Sequence, residues 1–177
     1  MKLIFPEEAW AEEISAYRRE FLDAGDSMDG TGILRRTEDP LAWIEGCRRL
    51  RQGQTPDGWV PSTQFLYVNE ETGKIVGMID VRHRLNAFLE QYGGHIGYSV
   101  RPCERGRGLA AEMLREALRF AFGELKLPRV LITCGKANEA SRRTILRCGG
   151  VYESTAFEPM EKMEIQRYWI ENPEKSE

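Results

Sequence analysis

One segment sets the expected architecture of the chain: His95-Ile-Gly-Tyr-Ser-Val-Arg-Pro-Cys-Glu-Arg-Gly-Arg-Gly-Leu-Ala110. Its apolar start, 96–100, predicts a short strand that ends at Pro102, because proline has no N–H to donate to a strand ladder. Residues 109–122 predict a helix with a polar face and an apolar face. The segment therefore predicts a strand joined to a helix by the glycine-rich turn at 105–108.

This turn has the properties of an anion site. At the start of a helix the first backbone N–H groups lack partners, and the helix dipole is positive. Gly106 and Gly108 allow a ligand to approach the backbone, and Arg105 and Arg107 add positive charge. We therefore expect a phosphate or diphosphate here. The alternative is that the glycines only shape a tight turn, as they do in many α/β proteins.

Two motifs in the chain resemble those of a known family. Arg105-Gly-Arg-Gly-Leu-Ala110 resembles the Arg/Gln-x-x-Gly-x-Gly/Ala signature of the GNAT superfamily of N-acetyltransferases. The segment 138–149 resembles the next helix of that family, which begins with Asn and ends at Gly. The sequence around 93–108 also resembles that of a bacterial subgroup of predicted acetyltransferases. The resemblance covers about residues 63–170 and implies acetyl transfer from acetyl-CoA to an amine.

Hydrophobic periodicity predicts the remaining elements. We expect strands at 2–5, 63–69, 74–82, 96–100, 129–134, 151–157 and 162–170. We expect helices that begin at Pro6, Pro40, Leu109 and Asn138. The order is β-α-α-β-β-β-α-β-α-β-β, which predicts an α/β fold with one mixed sheet and helices on both faces. We expect a single GNAT-like domain over residues 1–171, followed by a frayed tail, 172–177.

Composition narrows the classes of partner. A net charge of −3 without a basic block argues against nucleic acid, and no apolar run is long enough for a membrane span. The four cysteines are widely spaced and there are only two histidines, so we expect no metal site. Cysteines in a chain without a signal peptide are expected to be reduced, which predicts a cytoplasmic protein.

The resemblance implies roles for individual residues. The amides of the 105–110 loop would bind the diphosphate of acetyl-CoA, and the strand at 98–100 would pair with the pantetheine arm. Asn138 would cap its helix and contact this arm, while Ser141 could direct its hydroxyl toward the sulfur. The expected cofactor-binding residues are Tyr98, Ser99, Val100, Arg105, Gly106, Arg107, Gly108, Leu109, Ala110, Asn138 and Ser141.

The catalytic groups are less well defined by the sequence. Many members of the family place a tyrosine acid seven residues after the asparagine, but Ile145 stands there, which leaves Ser141 or water to assist the thiolate. His95 is a candidate general base because its ordinary pKa suits the task, with Asp80 and His83 as rivals. His95 could equally be structural, since it begins a strand after two glycines. Cys103 suggests a ping-pong route, but the family usually transfers the acetyl group directly.

We therefore expect a direct N-acetyltransferase whose acceptor is the primary amine of a small molecule or peptide, with His95 and Ser141 as catalytic candidates. The alternative is a catalytically silent acyl-CoA-binding module, and a third hypothesis is a nucleotide-binding regulatory protein. The segment 23–37 would border the acceptor pocket, where its aspartates either meet a cationic acceptor or only solvate a loop. We leave open whether two copies form a homodimer.

Overall fold

The computed structural model describes residues 1–175, and the expected order of strands and helices is confirmed within them. The strands are β1 (Lys2–Ile4), β2 (Ser62–Asn69), β3 (Lys74–Arg82), β4 (Ile96–Val100), β5 (Arg129–Gly135), β6 (Val151–Glu158) and β7 (Met163–Glu171). The helices are α1 (Ala11–Asp23), α2 (Pro40–Arg51), α3 (Leu109–Gly123) and α4 (Glu139–Arg147).

The strands form two antiparallel sheets instead of the single mixed sheet predicted from the sequence. The first sheet has the order β1-β2-β3-β4 and the second the order β5-β7-β6. They meet where the N–H of His95 donates to the carbonyl oxygen of Leu131 (2.7 Å) and the N–H of Leu131 donates to Nδ1 of His95 (2.9 Å). A parallel ladder that continued along β4 would need the carbonyl oxygen of His95 to accept an N–H from β5. That oxygen accepts the N–H of Arg82 in β3 instead (2.8 Å), so pairing with β5 does not continue and β4 keeps an open edge toward β5.

Helices cover the first sheet on both faces, as the sequence predicted. On one face α1 and α2 bury Ile14, Tyr17, Phe21 and Trp43 against β2 and β3. On the other, α3 and α4 pack against both sheets in one continuous core. The apolar face expected for α3 is buried there and consists of Leu114, Ala117, Leu118 and Ala121. Burial of these faces accounts for the helical pattern read from the sequence.

The loop between α1 and α2 packs on the middle of β4. Gly30 has φ +70°, and a Cβ at this position would overlap the carbonyl oxygen of Gly97 in β4. The amide of Gln64 donates to the carbonyl oxygen of Gly30 (2.8 Å), and the indole N–H of Trp43 donates to that of Thr31 (2.9 Å). Buried side chains therefore hold the loop over the central strand.

The end of β7 is tied to the domain beyond the expected boundary. The backbone N–H of Asn172 donates to the carbonyl oxygen of Pro128 (3.0 Å), and its side-chain amide donates to that of Leu127 (3.1 Å). Asn172 is buried, and Pro173–Lys175 form a 3₁₀ turn. The chain is therefore still attached at the residue where the sequence predicted fraying to begin. Residues 176 and 177 lie outside the described part of the chain.

The contact between Gly30 and Gly97 predicts a specific stability difference. Gly30→Ala should lower the free energy of unfolding by about 2–4 kcal/mol, because the methyl group adds a clash to the cost of a left-handed backbone. Gly32→Ala is the matched control, since Gly32 also has positive φ (+56°) and nothing within 4 Å of its Cβ position. It should cost about 1–2 kcal/mol. Urea unfolding measures both values, and equal losses would contradict the close approach.

Candidate active site

The turn between β4 and α3 presents unbonded backbone N–H groups to open space. Gly106 and Gly108 have φ of +77° and +80°, which glycine adopts without strain, and no atom lies within 4 Å of either Cβ position. Within residues 1–175, no backbone or side-chain acceptor bonds the N–H groups of 106–108. Leu109 and Ala110 form the first turn of α3, where N–H groups have no intrahelical partner. The turn therefore has the geometry of an anion site.

Both arginines of this turn are engaged by acidic side chains. Arg105 pairs with the Asp26 carboxylate (2.6 Å) and donates through Nε to the carbonyl oxygen of Val100 (3.0 Å), while Arg107 pairs with Glu104. The hydrogen bond from Arg105 lowers the pKa of Asp26. Asp26 thus links the α1–α2 loop to the glycine turn and is not free to meet a cationic acceptor. An anion at the turn would be held mainly by main-chain N–H groups.

The open edge of β4 leads directly into this turn. The N–H of Arg82 bonds the carbonyl oxygen of His95 (2.8 Å), and the N–H of Arg101 bonds that of Val76 (2.8 Å). Backbone groups of alternate residues point to opposite sides of a strand. The N–H and C=O groups of Tyr98 and Val100 therefore point away from β3, toward the gap before β5. Because the carbonyl oxygen of Val100 accepts from Nε of Arg105, the open groups are the N–H and C=O of Tyr98 and the N–H of Val100, with which an extended ligand could pair as an added strand.

Ser99 faces away from this gap, although the sequence placed it among the cofactor-binding residues. Its register partner is Met78 of β3, and its hydroxyl lies 3.0 Å from the hydroxyl of Tyr17 in α1. The side chain is buried, with 8% exposed. The alternation of the strand explains this placement. Successive residues of a strand point their backbone groups to opposite edges and their side chains to opposite faces, so Ser99 differs from Tyr98 and Val100 in both.

Hydroxyl groups from β4 and α4 meet beside the gap. Asn138 caps α4 as expected, since its Oδ1 accepts the N–H of Ser141 (3.0 Å). The Tyr98 hydroxyl lies 2.8 Å from Oγ of Ser141 and 3.3 Å from the Ser141 carbonyl oxygen. Ile145, at the family's tyrosine position, is fully buried in the core. The Tyr98–Ser141 contact was missed from the sequence, where no local signal connects the two residues.

His95 is poorly placed to act as the general base. Its Nδ1 accepts the N–H of Leu131, so the lone pair of the neutral ring is already used and Nε2 carries the proton. Burial, and next the nearby charge of Arg82, lower its pKa to about 4. The structure therefore supports the alternative left open by the sequence, in which the histidine has a structural role.

The other two base candidates lie on or beside β3. His83 shares a hydrogen bond with Oγ1 of Thr63 (2.8 Å), and burial lowers its pKa. Asp80 is buried opposite Gly97 of β4, 3.7 Å from Nε of Arg82. Burial raises the pKa of its carboxyl group. Of the three candidates, Asp80 keeps a titratable carboxylate next to the central strand.

Comparison with known proteins agrees with this geometry. The model of the acetyltransferase (GNAT) domain matches residues 12–151. The chain belongs to the GNAT acetyltransferase family. N-acetyl transfer from acetyl-CoA, which the resemblance implied, is therefore confirmed as the activity of its family. Among functionally curated proteins, none matches the sequence significantly.

Solved structures share the fold of this GNAT domain at low sequence identity. The ribosomal-protein-S5-alanine acetyltransferase from Vibrio fischeri is 16% identical, with 99% of this chain and 94% of that chain covered and a TM-score of 0.74. RimJ from Mycobacterium smegmatis, solved with CoA-disulfide, is 19% identical, with coverages of 99% and 83% and a TM-score of 0.75. A variant of spermidine N-acetyltransferase from Vibrio cholerae is 16% identical, with coverages of 97% and 95% and a TM-score of 0.62.

None of the helices in residues 1–175 combines the length and apolar character that a membrane crossing requires. Over the same residues, no three side chains of the His, Cys, Asp or Glu type come together in a way that could hold a metal ion.

The position of His95 predicts how stability depends on pH. Because the folded-state pKa lies below the unfolded value of about 6.5, the unfolded chain binds more protons between the two values. Stability contributed by the neutral ring is thus present above about pH 6.5 and is lost as pH falls toward 4. In His95→Gln, the free energy of unfolding should fall by up to about 3 kcal/mol less between pH 6.5 and pH 4 than in the original protein. Urea unfolding at the two pH values measures this difference.

The same assignment predicts an unchanged pH profile for catalysis. If His95 is structural, His95→Gln should leave the alkaline rise of the acetylation rate in place while it reduces stability. Direct NMR titration of the ring provides a second measurement. A ring that titrates near pH 6.5 would contradict the bond from Leu131 and restore His95 as a base candidate.

Proposed function

We propose that this GNAT domain binds acetyl-CoA with the diphosphate on the 105–110 turn and the pantetheine arm along the open edge of β4. The observation that carries this proposal is that two groups of open backbone atoms are adjacent: the outer edge of β4 and the N–H groups of the glycine turn. The N–H groups of 106–108 have no protein acceptor among the described residues, and no strand pairs with the outer edge of the strand that leads into them. Both sets are the groups that an extended, anionic ligand would satisfy.

The acetyl group then passes directly to a primary amine of a small molecule or peptide. Backbone N–H groups of the β4 edge polarise the thioester carbonyl, the amine attacks it, and the coenzyme A thiolate leaves. An acyl-cysteine route is disfavoured at Cys103, because partial burial and the carboxylates of Glu20 and Glu104 raise the pKa of its thiol. A thiol with a raised pKa is a weaker nucleophile at neutral pH.

The acceptor enters beside the α1–α2 loop. Gly30 holds this loop on β4, and exposed carboxylates lie on it at Asp29 and at the end of α1 at Asp23. Of the similar solved structures, one is a ribosomal-protein-S5-alanine acetyltransferase and another a spermidine N-acetyltransferase. Peptide amino termini and polyamines are therefore the acceptors to test first. Asp80 is the proposed base, since it pairs with Gly97 in the β3–β4 register and burial raises the pKa of its carboxyl group. The four cysteines are free thiols, which supports a cytoplasmic location.

A catalytically silent acyl-CoA-binding module is the second candidate. It is favoured by the engagement of His95 with Leu131 and by the replacement of the family tyrosine by the buried Ile145. The two candidates differ in turnover and share cofactor binding. Release of the coenzyme A thiol in the presence of polyamines, aminoglycosides and peptides separates them, because only the enzyme produces thiol above the rate without amine.

Gly108→Glu should weaken binding of acetyl-CoA at least about 100-fold, which corresponds to roughly 2.7 kcal/mol. The substitution adds bulk and negative charge where the diphosphate is proposed to bind. Isothermal titration calorimetry with acetyl-CoA measures the affinity.

Gly58→Glu is the matched control for this substitution. Gly58 has a similar φ (+79°) and nothing within 4 Å of its Cβ position, and it lies in a turn before β2. It should carry the same backbone strain and charge yet leave affinity for acetyl-CoA within about threefold of the original protein. Retained affinity in Gly108→Glu would refute the assignment of the diphosphate to the glycine turn.

A further inference from the structure

We propose that Tyr98 is a positioning residue that aims the hydroxyl group of Ser141 at the sulfur of bound coenzyme A. This inference rests on the proposed function, because it requires the pantetheine arm to lie along β4. In many members of the family a tyrosine on the helix that corresponds to α4 assists the leaving thiolate, but this chain has Ile145 there. We assign part of that task to Tyr98, a residue of β4.

The geometry places both hydroxyl groups where the arm would pass. Tyr98 lies in the middle of β4, and its backbone N–H and C=O belong to the open edge of the first sheet. Its side chain reaches the first turn of α4, where the hydroxyl lies 2.8 Å from Oγ of Ser141. A ligand that continues from the glycine turn along this edge therefore passes the pair of hydroxyls.

The direction of the hydrogen bond follows from the chemistry of the two groups. A phenol is a stronger acid than an aliphatic alcohol and therefore the better donor. Oγ of Ser141 is also closer to the Tyr98 hydroxyl than the Ser141 carbonyl oxygen is, at 2.8 Å against 3.3 Å. When Tyr98 donates to Ser141, the proton of Ser141 can point at a third group, either the Cys134 thiol or the sulfur of bound coenzyme A. Successive donors in such a chain polarise each other and strengthen the final hydrogen bond.

Neighbouring groups leave this chain uncharged. Burial raises the pKa of Tyr98, so the phenol keeps its proton and remains a donor. The Cys134 thiol of β5 also contacts Ser141, and burial raises its pKa to about 11. Burial likewise raises the pKa of Cys148 at the end of α4. The charged groups of α4 near Ser141 are Glu139 and Arg142, which pair with each other at 2.8 Å.

The proposed step balances without ionisation of either hydroxyl. The amine nitrogen forms a bond to the acetyl carbon, the carbon–sulfur bond breaks, and its electron pair stays on sulfur as the thiolate. Ser141 donates a hydrogen bond to this thiolate, and the amine proton goes to the base. The positive end of the α4 dipole adds to the stabilisation of the thiolate.

Titration of bound coenzyme A tests the proposal without knowledge of the acceptor. A hydrogen bond to the thiolate should lower the pKa of the bound thiol below that of free coenzyme A by about one unit, a tenfold change in the thiolate fraction. Ultraviolet absorbance of the thiolate is measured against pH in the protein–coenzyme A complex. The complex with S-methyl-coenzyme A is subtracted, because it has the same protein thiols but no free cofactor thiol.

Tyr98→Phe should remove half or more of this shift, and Ser141→Ala should remove nearly all of it. Ser141→Thr should restore it, since threonine keeps the hydroxyl. Affinity for coenzyme A at acid pH, where the thiol is protonated, should stay within about threefold in each variant. Tyr152→Phe is the matched control, because it also deletes a phenol hydroxyl bonded to a hydroxyl (Thr155 Oγ1, 2.9 Å), outside the proposed site.

The outcomes separate this proposal from the proposed function. Tight coenzyme A binding with an unshifted thiol, or a shift that survives in Tyr98→Phe, would overturn the role of Tyr98 and leave the cofactor site intact. Absence of coenzyme A binding by the original protein would overturn both. Loss of the shift in Tyr98→Phe and Ser141→Ala, but not in Tyr152→Phe, supports the positioning role.

Discussion

The two hydrogen bonds between His95 and Leu131 join the two sheets of this domain at the start of β4. The carbonyl oxygen of His95 accepts the N–H of Arg82 in β3, and no backbone ladder continues from this junction between β4 and β5. Gly94 allows the close approach, since a Cβ there would lie 2.6 Å from the carbonyl oxygen of Leu131. A ladder that continued along β4 would use the backbone groups of its outer edge, whereas pairing with β5 is limited to this junction and leaves that edge open.

The same junction explains which polar groups are left without protein partners. Buried backbone groups are nearly always hydrogen-bonded, so an unpaired strand edge beside an unpaired helix start points to an external ligand or to water. In this domain the two sets are close together in the chain, and Arg105 between them bonds the carbonyl oxygen of Val100 and the carboxylate of Asp26. Asp26 and Gly30 then attach the α1–α2 loop to the same region, so β4 and the glycine turn position both the proposed cofactor site and the proposed acceptor site.

The main features of the fold are predictable because they depend on local patterns. The apolar faces of α1 and α3, the Asn138 cap and the positive φ of Gly106 and Gly108 follow from helical spacing, capping and the freedom of glycine. The family signature includes only residues that are close in sequence. These patterns were sufficient to predict the order of elements, the glycine turn and the family's activity.

The remaining features depend on contacts between residues far apart in the chain. Tyr98 and Ser141 are 43 residues apart and His95 and Leu131 are 36 apart, so no sequence window contains either pair. A histidine with an ordinary pKa suits a general base, but folding buries this one and uses its lone pair. The amino-acid sequence was therefore enough to predict the elements and the glycine turn, whereas the separation of the sheets and the hydrogen-bond partners of the polar side chains were decided by folding. The reason is that burial and hydrogen-bond partners exist only once distant strands are packed together.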